Sequence, residues 1–387
     1  MKMLMMLILL IGQFTRVAQA EWTPPRRLTW TPYGFELPAI AIGSNGAIHI
    51  VGTMAHEIYY KKSTDGGETW TMASRVSRTT GWSEFAAIAI DSRNTLHVVW
   101  MDKTPGNYDI FYTRRPDGST NWSGKIRLSW TPGVSLSPAI SMDSENLIHV
   151  VWCDSTPPDW EIYYVRSTNR GWTWSVFQQI TWNYGDSLIP ALAIDSDDTI
   201  HVVWHDRMLG IEKVYYKKSS NRGKTWNPAR RLTWISNDQY AWHPAIVVGK
   251  DNNVHVVWSQ YFVWSQYPGY SKAETEIFYK RSSDGGAIWS TGQRLTRTSG
   301  WSESPSMAID GDKTVHVVWA DETPGNYEIY YAKGTAGGTI WSEAQRLTST
   351  PGASGSPCIA IDSDDTIHVV WWDDTPGHPE IYYMRTK

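Results

Sequence analysis

Pairs of tryptophan and aspartate recur along this sequence, with the aspartate two residues after the tryptophan. Five pairs follow the same short motif: Trp100/Asp102, Trp152/Asp154, Trp204/Asp206, Trp319/Asp321 and Trp371/Asp373. An indole face can stack on the C–H patch of a sugar ring, and a carboxylate accepts hydrogen bonds from sugar hydroxyls. The pairs therefore predict several equivalent carbohydrate-binding sites, which gain avidity on a polymeric ligand. The structural alternative is that each Trp fills space between repeats while each Asp caps the following turn.

One stretch departs from this regularity and offers acid–base chemistry. His205, Asp206 and Arg207 follow one Trp directly, and the insertion from Gln260 to Thr275 carries Tyr261, Tyr267 and Tyr270, preceded by Tyr240, Trp242 and His243. His, Tyr and Arg together suit proton abstraction and carboxylate neutralisation on a uronic-acid polymer, whereas paired carboxylates would serve a glycosidase. If the chain is an enzyme, the candidate catalytic residues are His205, Asp206, Arg207 and Tyr261. A second irregular position is His56, and drift in a decaying repeat would explain all of these residues equally well.

The elements that position these residues form a repeat. The string IHVVW, with small variations, occurs seven times, at His49, His97, His149, His201, His255, His316 and His368. Around each copy the chain reads as four short strands joined by tight turns, and one such unit per about 40 to 50 residues is typical of a propeller blade. The sequence predicts an all-β, seven-bladed β-propeller of four-stranded antiparallel blades over residues 21–387. The innermost strands are expected to begin near Leu37, Phe85, Ser137, Ile189, His243, Ser304 and Ser356.

The two ends of the chain complement each other. The last repeat reaches Lys387 without a fourth strand, while the segment WTPPRRLTW near the N-terminus is a fourth strand without a blade. We expect the N-terminal strand to complete the last blade and close the ring. Cys153 and Cys358 then lie in blades that are not neighbours, so no disulfide is expected, because a bridge needs Cα atoms within about 7 Å.

A turn motif, S-x-D/N-x-G-x-x-W, joins the third and fourth strands. Its Asp or Asn accepts backbone N–H bonds, its Gly permits a positive φ, and its Trp packs on the blade. The key pairs are Asp65/Trp70, Asn169/Trp174, Asn221/Trp226 and Asp284/Trp289.

This motif resembles the Asp box, and nearly the whole chain is similar to Asp-box (BNR-repeat) propellers, whose best-known enzymes are sialidases. The resemblance implies the fold and a structural role for these turns. Such sialidases have six blades and an R-I-P segment, which this chain lacks, so none of their catalytic residues is transferred to it.

The N-terminus predicts export. Lys2, the apolar run from Met3 to Gly12, and Ala18 and Ala20 indicate a secretory signal peptide over residues 1–20. A bilayer-spanning helix needs about 20 apolar residues, and no later segment qualifies. We therefore expect a secreted protein, extracellular or periplasmic, without a membrane span.

Charge and motifs limit the possible partners. With 35 basic and 39 acidic side chains, the net charge of −4 argues against nucleic acid as a partner. No cofactor motif and no specific metal-ligand spacing occurs, although the acidic turns leave calcium binding open. We expect a monomer that binds a glycan or an extracellular, cell-surface partner through its Trp/Asp-rich loops. The alternatives are a sialidase-like glycoside hydrolase or polysaccharide lyase, acting between blades 4 and 5 or at the central axis, and a plain assembly scaffold.

Overall fold

A computed structural model describes residues 19–156, 159–208, 210–234, 239–267 and 270–387, with side chains given outside 263–272. The predicted signal peptide falls almost entirely outside this part. The described chain forms seven antiparallel sheets arranged as the blades of a propeller. In each blade the first strand lines the central axis and the short fourth strand is outermost. Strands such as Leu96–Asp102 are buried along their whole length, because neighbouring blades cover both faces.

The strands of the first four blades have closely similar bounds. Blade 1 contains β2 (Phe35–Ile42), β3 (Ile48–Met54), β4 (Glu57–Ser63) and β5 (Ser74–Arg75). Blade 2 contains β6 (Ser83–Ile90), β7 (Leu96–Asp102), β8 (Asp109–Arg115) and β9 (Ile126–Arg127). Blade 3 contains β10 (Ser135–Met142), β11 (Ile148–Asp154), β12 (Glu161–Ser167) and β13 (Gln178–Gln179). Blade 4 contains β14 (Asp186–Ile194), β15 (Ile200–Met208), β16 (Ile211–Ser219) and β17 (Arg230–Arg231).

The last three blades vary this plan. Blade 5 contains β18 (Tyr240–Val248), β19 (Val254–Tyr267), β20 (Tyr270–Ser282) and β21 (Gln293–Arg294), so the insertion extends its central hairpin. Blade 6 contains β22 (Ser302–Ile309), β23 (Val315–Asp321), β24 (Glu328–Gly334), the helical turn α1 (Thr335–Gly338), β25 (Ile340–Trp341) and β26 (Gln345–Arg346). Blade 7 contains β27 (Ser354–Ile361), β28 (Ile367–Asp373), β29 (Glu380–Arg385) and the N-terminal β1 (Arg26–Arg27).

The N-terminal strand closes the ring, as predicted. Arg26 and Arg27 pair with Tyr383 and Tyr382 of β29. Beyond the paired residues, Thr29 Oγ1 accepts the N–H of Ile381 at 2.9 Å and the Thr29 hydroxyl donates to the buried Glu380 carboxylate. The first and last parts of the propeller are thus joined by backbone and side-chain hydrogen bonds.

The IHVVW strands supply the core between blades. In β15, Val202 and Trp204 pack toward blade 3, whereas Val203 packs toward blade 5. The histidine of the motif is buried and hydrogen-bonded: His201 Nδ1 lies 2.7 Å from Tyr216 Oη, and Nε2 lies 3.0 Å from Asp195 Oδ2. The repeated histidines therefore act as hydrogen-bonding spacers within the blades.

The S-x-D/N-x-G-x-x-W turns attach each blade to the preceding one. In blade 1, Asp65 Oδ1 accepts the N–H of Thr69 at 2.8 Å, and hydrogen bonds from Thr69 and Ser63 lower the Asp65 pKa to about 2. Each turn Trp packs edge-on against a Tyr of the blade before it, as in the pairs Trp70/Tyr383, Trp174/Tyr112, Trp226/Tyr164 and Trp289/Tyr216, with ring centroids 4.8 to 5.2 Å apart. Here the face that carries these turns is called the bottom face, and the opposite one the top face.

Candidate functional site

The five Trp/Asp pairs lie under the top face, but they are buried. Trp100, Trp152, Trp319 and Trp371 are 0% exposed and Trp204 is 1% exposed. Their aspartates (Asp102, Asp154, Asp206, Asp321 and Asp373) are at most 2% exposed. In blades 2, 3 and 6 the indole N–H donates to the aspartate two residues later, at 3.0 to 3.3 Å. The prediction that these rings stack on sugars is corrected, because a ring enclosed between blades presents no face to a ligand.

Each buried aspartate also collects donors from the loop that enters its blade. Asp154 Oδ2 accepts the hydroxyls of Thr131 and Ser135 at 2.6 Å, and Oδ1 accepts the N–H of Thr156 at 2.9 Å. A buried carboxylate is tolerated when charge-assisted hydrogen bonds satisfy its oxygens. The pairs therefore fix the top loops in place, which is the structural alternative that the sequence left open.

Two blades lack the pair, and both compensate for its loss. In blade 1, Gly52 stands in place of Trp, and the fully buried ring of Phe35 occupies the vacated space, since a Cβ on Gly52 would lie 2.5 Å from Phe35 Cε2. In blade 5, Trp258 Nε1 donates to Gln260 Oε1 at 3.0 Å, so an amide replaces the carboxylate.

A cavity of about 360 Å³ runs along the axis and is lined by the innermost strands of all seven blades. Each of these strands shifts register at a β-bulge whose residue has a φ of 47° to 54° (Leu37, Phe85, Ser137, Ile189, His243, Ser304 and Ser356). These are the residues at which the strands were expected to begin, although the strands start two or three residues earlier. The ring is uneven: blades 1 and 2 contribute apolar Leu37 and Phe85, whereas blades 5 to 7 contribute His243, Ser304 and Ser356.

His243 of blade 5, which lines this cavity, lies close to His205 of blade 4. Burial lowers the His205 pKa to about 3, with a further contribution from the nearby His243, and burial also lowers the His243 pKa. The Nδ1 atoms of both rings are buried and have no hydrogen-bond partner. Both imidazoles are therefore neutral at neutral pH, and each free nitrogen can form a hydrogen bond with a ligand.

The other predicted catalytic residues differ in their exposure to solvent. Asp206 is 2% exposed and accepts hydrogen bonds from Ser187 and Asn183, so it belongs to the buried network rather than to an open site. Arg207 is exposed and pairs across the hairpin with Glu212, whose pKa is raised by burial.

Tyr261 is half-buried in an aromatic group with Tyr240, Trp242 and Trp301, at centroid distances of 5.7 to 6.4 Å. The side chains of Tyr267 and Tyr270 lie outside the described residues.

A second cluster of ionisable and aromatic residues lies at the top of blades 1 and 2. His56 Nδ1 is 3.0 Å from Glu84 Oε1, and its ring stacks on Trp82 with centroids 4.2 Å apart. Tyr108 donates to Glu84 Oε2 at 3.3 Å, and burial together with Glu84 raises the Tyr108 pKa. Of these residues, only His56 stands out in the sequence as irregular. The others could have been found from the strings GWSE and NYD/E, which occur again in blade 6 at Trp301, Glu303 and Tyr327.

Four other tryptophans are strongly exposed, and all occupy one repeat position at the end of the fourth strand. Trp30, Trp130, Trp182 and Trp234, here called the aromatic rim, are 66 to 77% exposed. A cation lies over each ring, at 3.6 to 5.5 Å from the ring centroid: Arg27, Arg127, Lys217 and Arg231, respectively. The same position carries Arg78 in blade 1 and Arg297 in blade 5. Such cation–π contacts orient each ring while leaving most of it open to solvent.

Neither a metal site nor a membrane helix is present in the described part of the chain. No group of three or more His, Cys, Asp or Glu residues could hold a metal ion there. No described helix is long and apolar enough to cross a membrane. Cys153 and Cys358 are free thiols.

The architecture is that of a sialidase-like β-propeller with seven blades. Among solved structures, the chain is similar to the polysaccharide lyase Uly1 (10% identity, TM-score 0.62, 93% of this chain and 91% of that one). It is also similar to the GH93 α-L-arabinofuranosidase of Fusarium graminearum, with 13% identity and a TM-score of 0.55 over 95% of this chain and 96% of that one. A third similar structure is the NanB sialidase of Streptococcus pneumoniae, with 13% identity and a TM-score of 0.51 over 94% of this chain and 71% of that one. No protein-family model and no curated protein sequence matches the chain. At these identities the likeness concerns the fold alone.

Proposed function

We propose that the protein binds a carbohydrate polymer across its top face, with the aromatic rim as the contact surface. The observation that carries this proposal is the contrast between two sets of repeated tryptophans. The set in the IHVVW strands is enclosed, whereas the rim set is 66 to 77% exposed at equivalent positions of blades 7, 2, 3 and 4. Several like sites at fixed spacing favour a polymeric ligand, because each bound unit raises the effective concentration of the next.

The charge around the rim favours an acidic polymer. Proceeding around the ring from blade 7 to blade 5, the rim position carries Trp30, Arg78, Trp130, Trp182, Trp234 and Arg297. Arginine forms bidentate hydrogen bonds with carboxylates and sulfates, while the indoles accept the apolar faces of the sugar rings. The similar folds of a polysaccharide lyase, a sialidase and an arabinofuranosidase support a carbohydrate ligand in general terms.

The test is a binding measurement with a matched control. A Trp130→Ala/Trp182→Ala/Trp234→Ala variant is compared with Trp172→Ala, which removes a ring that is 71% exposed and covered by Arg114 at 3.7 Å, but in a bottom-face turn. If a sugar ring covers about 60 Å² of each indole, about 25 cal/mol per Å² gives roughly 1.5 kcal/mol, or about tenfold in Kd, per rim tryptophan. Affinity electrophoresis or calorimetry on acidic and neutral polysaccharides measures the change. Unaltered binding by the triple variant, or an equal loss in Trp172→Ala, would refute the proposal.

A second candidate function is catalysis by elimination, favoured by the unpartnered imidazoles of His205 and His243. In a uronate chain, the negative charge of the bound carboxylate would raise the pKa of the nearby imidazole, which would then take the proton next to that carboxylate while Arg207 offsets part of its charge. The electron pair would form the C=C bond, and the glycosidic C–O bond would break, its oxygen taking a proton from Tyr261 or water. This assignment keeps His205, Arg207 and Tyr261 from the sequence analysis and replaces the buried Asp206 with His243.

Turnover separates the two candidates. His205→Ala and His243→Ala should abolish the rise in ultraviolet absorbance that an unsaturated uronate product gives, while retaining polysaccharide binding. The rim variant should instead raise KM and leave kcat close to that of the wild type. Absence of turnover by the wild-type protein on a panel of uronate polymers would leave binding as the function.

Export, predicted from residues 1–20, is part of this proposal, and an N-terminus at Glu21 in protein recovered outside the cytoplasm would support it.

A further inference from the structure

A separate pocket opens at the bottom face between blades 1 and 2. It has a volume of about 370 Å³, and its lining includes His49, Tyr60, Lys62, Arg115 and Asp117. It is therefore distinct from the aromatic rim and from the axial cavity. Pockets of this size accommodate a ligand as large as a monosaccharide or disaccharide.

The pocket exists because the turn of blade 2 departs from the repeat. In regular blades the turn glycine packs onto the Tyr hydroxyl of the preceding blade, so that a Cβ on Gly171 or Gly223 would overlap that hydroxyl. In blade 2 the chain reads PDGSTNW from Pro116 to Trp122, and Arg115 pairs opposite Leu96 where the equivalent residue in blade 1 is Ser63. The Arg115 guanidinium lies 4.0 Å from the centroid of the Tyr60 ring, and the space that a regular turn fills is left open.

The buried histidine of this pocket lacks the aspartate that its counterparts contact in most blades. In blades 4, 6 and 7, Nε2 of the repeated histidine lies 3.0 to 3.1 Å from an aspartate oxygen of the first turn. In blade 1 the corresponding turn residue is Gly43, and Nε2 of His49, which is 3% exposed, has no partner. Blade 5 shares this change, with Gly249 in the turn and no partner for His255 Nε2, but there the glycine of the next turn packs onto the Tyr279 hydroxyl as in regular blades. His49 Nδ1 lies 2.7 Å from the Tyr60 hydroxyl. When that hydroxyl donates to Nδ1, Nε2 carries the hydrogen and can donate to an anion.

One cation of the pocket, Lys62, also lacks the contact that is usual at its position. The residue opposite the repeated histidine normally donates to a carbonyl of the next turn, as Arg114 does to Arg170 at 2.8 Å and Arg281 does to Gly337 at 3.1 Å. Lys62 occupies that position in blade 1, and its ammonium makes no such bond to a described residue.

The lining carboxylate, Asp117, is exposed and accepts from Asn45 at 3.5 Å and from the N–H of Gly118 at 3.0 Å. A separate recess between the same two blades is lined by Arg75, Arg78 and Lys125 and by no acidic residue.

We propose that this pocket binds an acidic sugar, with the carboxylate or sulfate group of the ligand in the position that the missing aspartate occupies in other blades. His49 Nε2–H, Lys62 and Arg115 are the donors to that group. The hydroxyls of Thr71, Ser74 and Thr120 line the remainder of the pocket and face the hydroxyls of the sugar. The site goes beyond the proposed function, because it lies on the opposite face and takes a single acidic unit instead of a polymer laid across the rim.

The experiment uses sodium glucuronate, sodium sulfate and neutral glucose as probes at constant ionic strength, with binding followed by calorimetry and ligand-observed NMR. The wild type is expected to bind glucuronate or sulfate and not glucose. Lys62→Gln should weaken this binding at least fivefold, whereas the exposed control Lys224→Gln should leave it unchanged.

Gly43→Asp restores the aspartate of the repeat and should abolish binding by occupying the anion position. Binding of sulfate without glucuronate would assign the site to a sulfated sugar, and the reverse to a uronate.

Equal binding of glucose, or unchanged anion binding in both Lys62→Gln and Gly43→Asp, would overturn the proposal. The triple rim variant should bind these small anions like the wild type, so failure of the rim proposal and failure of this one are distinguishable. Lys62 is half-buried and lacks a described side-chain partner, so its substitution is expected to fold even if Gly43→Asp does not.

Discussion

Asp154→Ala should destabilise the protein without removing a ligand contact. The Asp154 carboxylate is fully buried and accepts hydrogen bonds from Trp152, Thr131, Ser135 and both donors of Thr156. Truncation leaves these donors without an acceptor, at about 1 kcal/mol each, so a loss of about 4 to 5 kcal/mol is expected. With an unfolding entropy of about 2.1 cal/mol/K per residue over roughly 370 residues, this corresponds to a fall in Tm of about 5 to 6 °C.

Differential scanning calorimetry measures this fall, and polysaccharide binding is measured in parallel well below Tm. The control is Asp364→Ala, an exposed aspartate of a bottom-face turn, for which a change within about 0.5 kcal/mol is expected. If Asp154→Ala kept the wild-type Tm and lost binding, the buried pair would be a ligand site after all and the reasoning from burial would be wrong.

Three further outcomes are expected. Gly171→Ala should lower Tm more than Gly118→Ala, because both residues have a positive φ but only at Gly171 would the Cβ lie 1.8 Å from Tyr112 Oη; equal losses would contradict this. Burial lowers the His205 pKa to about 3, so the stability contributed by its neutral ring is complete above pH 6.5 and is lost as the pH falls from 6.5 toward 3. His205→Gln should therefore flatten the dependence of unfolding free energy on pH in that window, by up to about 1.4 kcal/mol per pH unit, and identical slopes would count against the assignment. Cys153 should react with a thiol reagent only after denaturation, since it is 1% exposed and burial raises its pKa to about 12; its rapid reaction in the native state would be inconsistent with the core.

The ring of blades could be predicted because it depends on periodic features. Seven IHVVW strings set the number of blades, and the unmatched RLTW segment identified the strand that pairs with β29. The predicted strand boundaries were less accurate at the axis, where one residue per blade, followed by proline in six blades and by alanine in blade 2, adopts a positive φ at a bulge. A run such as SPAIAI reads as the start of a strand at that point, whereas the strand begins earlier and bends there.

The location of the Trp/Asp pairs could not be predicted from the pairs alone. Residues two apart on a strand point to the same side of the sheet. This spacing is the same whether that side is an open surface or a closed interface between blades, so it does not distinguish the two. A further signal was present: Ser135 precedes Asp154 by 19 residues and donates to it, and Ser187 and Asp206 repeat that spacing and that bond. A serine recurring at constant distance from the aspartate indicates an internal hydrogen bond, because a ligand site would not require it.

Departures from the repeat can be sorted by whether a neighbour compensates for them. At Gly52 the missing indole is replaced by the buried Phe35 ring, so the change leaves neither space nor an unsatisfied group and needs no ligand to explain it. At Gly43 the missing carboxylate is replaced only in part: Asn45 accepts the N–H of Ala47, but the Nε2 atom of His49 stays unpartnered, and Arg115 stands beside an open pocket where a serine and a packed turn are the rule. An unsatisfied buried polar atom costs about 1 to 3 kcal/mol. Blade 5 carries the same change at Gly249 and His255, but in blade 1 it coincides with an open, cation-lined pocket, where a bound partner would restore the lost interactions. By the same criterion, the free nitrogens of His205 and His243 point to function, whereas the buried indoles of Trp100, Trp152 and Trp319 do not, because each donates to the aspartate two residues later.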